Sequence, residues 1–115
     1  MNCRLTPCQA ALLRGLRTLL ETLAGTEFED WSIVIEQVRS DDWASLTFRG
    51  QRHELTLRLM LPTAAISDLA DRLRAQAEMA PPAVPGGFVA DMTFGVRTGL
   101  AEEIFLDVEA LTLQE

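Results

Sequence analysis

Residues 53–59 read His-Glu-Leu-Thr-Leu-Arg-Leu, an apolar or ring side chain at every second position with a charged or hydroxyl one between. A period of two marks a β-strand that buries one face and wets the other. A helix cannot use this pattern, because side chains two apart on a helix point to nearly opposite sides. The stretch therefore demands neighbouring strands and an apolar layer over its leucines.

Two segments can supply that layer. In residues 5–25, Thr6 suits an N-cap, Pro7 the first helical position, and Gln9 completes a T-x-x-Q capping box. Leu12, Leu16, Leu19, Leu20 and Leu23 recur at steps of three and four, and Gly25 suits the position just past the helix end. Residues 63–80 are the second predicted helix, with Ile66, Leu69, Ala70, Leu73 and Ala77 as the buried stripe. The proline- and glycine-rich residues 81–87 cannot continue it and return the chain to the sheet.

The other patterned stretches read as strands: 31–39, 43–49, 52–61, 88–96 and 104–113. Ser40, Asp41 and Asp42 separate the first two, and Pro62 ends the third. In 88–96, Phe88, Ala90, Met92, Phe94 and Val96 share one face. The expected fold is a single α+β domain over residues 1–115, in the order α-β-β-β-α-β-β. Its five-stranded sheet is mainly antiparallel, with both helices on one face.

The only histidine, His53, stands among Arg49, Arg52 and Glu54, a mixture that reactive sites use. A two-residue loop at Gly50 and Gln51 fits a type II′ hairpin, since glycine accepts positive φ there. In that register Phe48 faces His53, Arg49 faces Arg52, and Trp43 lies across from Arg58 at cation–π distance. His53 then falls on the leucine face as a packed turn residue, while the arginines fall on the other. The competing reading is an arginine-lined anion site with His53 as acid or base. In the last hairpin, Val96 opposite Ile104 would pair Asp91 with Glu109 and Thr93 with Asp107, as salt-bridge partners for neighbouring arginines or as an acid/base pair.

Several chemistries are excluded. All ten basic residues are arginine and there is no tyrosine, so a Schiff-base lysine, a phosphate-loop lysine and a tyrosine acid are ruled out. Cys3 and Cys8, with four residues between them and one distant histidine, do not make a zinc signature, and they read as reduced structural thiols. No cofactor or metal is expected. A net charge of −7 argues against a nucleic-acid backbone or an anionic membrane as partner. No signal-peptide pattern and no run of ~20 apolar residues is present, so the expected compartment is the cytoplasm. The arginine, alanine and leucine bias fits GC-rich bacterial coding.

Val34, Val38, Trp43, Val89 and Phe105 are expected on the sheet face that carries no helix. Five apolar residues there make a patch of contact size, and with Arg58, Arg49, Arg52 and His53 they form the candidate ligand or partner surface. The leading expectation is a non-enzymatic protein-binding or adaptor domain, self-associating as a homodimer. The alternative is a small enzyme or anion-binding domain using His53, Arg49, Arg52 and nearby carboxylates. In element order, size and acidity the chain resembles the bacterial type III secretion chaperones, which implies a chaperone-like adaptor role and assigns it to no residue.

Overall fold

The capping box of Thr6 and Gln9 forms as the sequence requires. Thr6 Oγ1 accepts the Gln9 amide at 3.1 Å, and Gln9 Oε1 accepts the Thr6 amide at 3.0 Å. Helix α1 then runs Pro7–Ala24 and stops at Gly25, whose φ of 74° is left-handed. The computed structural model describes residues 4–25, 33–60, 68–99 and 103–115. Cys3, Trp31, Pro62 and Ile66 lie outside the described residues. Helix α2 spans Leu69–Met79 and buries Leu69, Leu73 and Ala77.

Among the described residues the sheet has four strands, not five: β1 Ile33–Ala44, β2 Arg49–Met60, β3 Gly87–Thr98 and β4 Glu103–Gln114. The element order is α-β-β-α-β-β, so the arrangement that resembled the type III secretion chaperones is not the one formed. The five-strand expectation fails at Ser40-Asp41-Asp42, which does not turn. Those residues continue β1, an edge strand where Asp41 and Asp42 remain in water and Ser40 pairs with His53. The chain reverses instead at residues 45–48, where the Ser45 amide donates to the Phe48 carbonyl at 2.8 Å and Ser45 Oγ accepts the Phe48 amide at 3.1 Å.

Gly50 lies inside β2, between Trp43 of β1 and Leu113 of β4. A Cβ there would come within 1.8 Å of the Thr112 carbonyl oxygen, so glycine is needed for close backbone approach and not for a turn.

The strand order is β1-β2-β4-β3 and every pair is antiparallel. Two bulges reset the alternation, one in β1 between Ile35 and Gln37 and one in β3 between Val89 and Asp91. Each adds one residue and moves everything beyond it to the other face. Val38 and Val89, expected outside, therefore pack against the core, and Phe88 is left 41% exposed. The final hairpin is also displaced from the expected register: Val96 faces Leu106, and Thr93, not Asp91, faces Glu109.

Cross-strand rows on the helix side follow from the register: Ile33–Leu59–Ile104, Ile35–Leu57–Leu106–Val96, Val38–Leu55–Val108–Phe94 and Ser40–His53–Ala110–Met92. Leu12, Leu16 and Leu20 of α1 and Leu73 of α2 complete the core. Each fully buried leucine contributes ~1.5–3 kcal/mol relative to exposure. Gly15 of α1 lets Pro82 of the connector pack directly against the helix, since a Cβ would come within 2.4 Å of that ring.

Candidate functional site

The fourth inner row sets His53 beside Ser40, and the first turn of α1 closes over it. The ring is fully buried. Nδ1 lies 2.6 Å from Ser40 Oγ, Nε2 lies 2.9 Å from Thr112 Oγ1, and Cys8 Sγ stands 3.6 Å from Nε2. Gln9, also buried, donates from Nε2 to Ser40 Oγ at 2.8 Å, its Oε1 being held by the capping box. At the far end Thr112 Oγ1 donates to the Gln51 carbonyl at 3.4 Å.

The carbonyl end sets the direction of this chain. An amide NH₂ only donates, a carbonyl only accepts, and each hydroxyl has one proton. Thr112 spends its one proton on the Gln51 carbonyl, so His53 Nε2–H donates to Thr112; the neutral ring then accepts at Nδ1 from Ser40, which itself accepts from Gln9. The network thereby assigns the tautomer with the proton on Nε2. Burial holds the His53 pKa below its ordinary value, so the neutral ring is the form the site keeps. A neutral ring already protonated on Nε2 is not a base for Cys8, as a thiol nucleophile would require. The crevice beside Cys8 is about 80 Å³, well below the ~300 Å³ at which small-molecule sites begin. His53 ties the start of α1 to β1, β2 and β4.

The opposite sheet face is built of rows as well: Val34–Arg58–Phe105–Arg97, Gln37–Thr56–Asp107–Gly95, Arg39–Glu54–Glu109–Thr93, Asp41–Arg52–Leu111–Asp91 and Trp43–Gly50–Leu113–Phe88. The middle rows are charged and mutually paired. Arg39 reaches Asp41 at 3.3 Å and Glu54 at 3.7 Å, and Arg52 reaches Glu109 at 3.6 Å. Such exposed pairs contribute ~0–1 kcal/mol each, and their main effect is to order the strands. Arg97 grips Asp107 with contacts of 2.6 and 3.0 Å, and Thr56 adds a third at 3.0 Å. The Arg97 hydrogen bond is the chief cause that holds the Asp107 carboxyl below its usual range.

The predicted surface residues are dispersed by this register. Arg58 faces Val34 and Phe105, not Trp43, and lies 2.9 Å from Glu36 and 3.3 Å from Glu103. The cation–π contact belongs to Arg97, 5.3 Å from the Phe105 ring centre. Trp43, half-buried, sits four rows away in line with Leu113 and Phe88. Arg49 is exposed opposite Ala44, and Arg52 and His53 point to opposite faces, so the anion-site constellation is not gathered. A shallow depression of about 440 Å³ over the middle of the sheet is lined by Glu54, Asp107 and Glu109, which repel anions.

Ser40, Gln9 and Thr112, the partners that define the His53 site, come from three distant segments, and no local signal joins them. Among the described residues no group of three or more His, Cys, Asp or Glu side chains is placed to hold a metal. Nor is any described helix long and apolar enough to cross a membrane.

No known protein family and no curated protein matches the chain. Among solved structures it is similar to a chain in the virion of a native gene transfer agent particle, with a TM-score of 0.51 and 14% identity. That alignment covers 94% of this chain and 98% of the other, so the likeness of fold extends over nearly the whole of both.

Proposed function

We propose that this protein is a non-enzymatic assembly subunit that binds other protein chains and associates with copies of itself through the helix-free face of its sheet. The observation that carries the reading is the apolar end of that face. Trp43, Leu113 and Phe88 share the last row, and the adjoining β1–β2 turn exposes Phe48 and Leu46. Apolar surface concentrated at one end and bordered by charged rows is the usual form of a protein contact. The paired arginines and carboxylates beside it supply a polar rim. The fold neighbour supports the same reading, since its chain belongs to a virion particle. His53 supports it from the other side, because its hydrogen-bonding capacity is used within the fold.

Light scattering coupled to gel filtration tests the proposal. The expected result is a mass that rises above the monomer with concentration and falls back to it in Trp43→Glu and Phe88→Glu. A monomer at all concentrations, the same in wild type and both variants, would overturn it.

A further inference from the structure

We propose that the open edge of β1, with the groove between it and α1, receives an extended segment of a partner protein that alternates apolar and acidic side chains. The inference rests on the reading of this chain as a protein-binding subunit, and it names a second surface and the chemistry of what docks there.

Three observations converge on this edge. Among the described residues β1 is paired with β2 alone, so one side of its backbone meets no other described strand. Ile35 belongs to the core row of Leu57 and Leu106, both buried, yet it is itself 45% exposed. Between edge and helix lies a groove of about 230 Å³, lined by Leu13, Ile33, Ile35 and Leu57 with Arg14 and Arg17. A strand laid along β1 would point alternate side chains into this groove, which an aliphatic residue fills.

Charge selects the acidic character of the occupant. The protein carries a net −7, yet both charged residues of the groove are arginines. Arg14 is exposed and has no carboxylate partner among the described residues, and Arg17 is 3.7 Å from Glu21 on its own helix. A carboxylate one position from the buried aliphatic residue would reach Arg14. The bulge between Ile35 and Gln37 interrupts the edge, which disfavours a long sheet-to-sheet union of two copies and suits a short added strand.

The test uses the full ¹⁵N-labelled chain and two short blocked peptides, one alternating valine with glutamate and one valine with lysine. The glutamate peptide should produce saturable amide shifts confined to residues 33–35 and 13–17. Arg14→Glu should weaken that binding about tenfold without altering thermal unfolding, and raised salt should weaken it in the wild type. Equal binding of the lysine peptide, shifts centred on β3 or on the row of Trp43, or indifference to Arg14→Glu would each overturn the inference. So would a mass change on Arg14→Glu in the absence of peptide, which would place a second copy in the groove. Peptide failure with association that still depends on Trp43 would leave the assembly reading standing.

Discussion

Thr112→Val tests the hydrogen-bond relay around His53 at its most informative point. Valine keeps the shape of threonine and removes the hydroxyl that accepts from His53 Nε2–H at 2.9 Å. The proton would then face only Cys8 Sγ, 3.6 Å away and a weak acceptor, inside a fully buried site. An unsatisfied buried donor costs ~1–3 kcal/mol, and the added methyl returns at most ~0.8 kcal/mol. The net loss should be about 1–2 kcal/mol, with roughly 3–6 °C of Tm per kcal/mol in a chain of this length. Ser40→Ala should cost a similar ~1–2 kcal/mol, because it removes both the donor to Nδ1 and the acceptor of Gln9 Nε2. The two changes act on one ring, so urea unfolding of the double variant should fall short of additivity by ~0.5 kcal/mol or more. A Thr112→Val protein within ~0.5 kcal/mol of wild type, with additive effects in the cycle, would refute the relay.

Two further outcomes follow from the same geometry. The folded-state pKa of His53 lies below its unfolded value of 6.5, so its contribution is complete above that pH. As pH falls below it, the unfolded chain gains a proton that the folded chain refuses, and stability should drop by up to ~1.4 kcal/mol per unit until the folded pKa is passed. Unfolding measured across this window in wild type and His53→Phe checks the point, and identical slopes would contradict a neutral buried ring. Gly50→Ala should lose about 2 kcal/mol or more, because its Cβ would press on the Thr112 carbonyl and part β2 from β4. Unchanged denaturant stability in that variant would contradict the close approach.

Helix α1 is legible down to its cap because every signal that forms it is local: Thr6, Pro7 and Gln9 at one end, Gly25 at the other, and leucines at helical spacing between them. The alternation of residues 53–59 is equally plain, and His53 falls on the leucine face as that pattern demands. Gly50 is misread because glycine serves two purposes, a positive φ in a turn and the close approach of two backbones, and composition does not tell them apart. The bulges leave a fainter mark. The apolar phase slips from odd to even between Ile35 and Val38, and again between Val89 and Met92. A strict alternation carried through those points sends Val38 and Val89 to the wrong face.

From the amino-acid sequence alone come the α+β class, the capped helix, the inward leucines and the exclusion of lysine and tyrosine chemistry. All of them depend on residues a few positions apart, where spacing determines geometry. Register, edge and site belong to the tertiary structure. Ser40 and Thr112 meet His53, Arg97 and not Arg58 stacks on an aromatic ring, and Ile35 is left half-exposed in an outer strand. The reason is the two-residue period of a strand. One inserted residue reverses a whole face, and only strand pairing across the sheet decides where that residue goes.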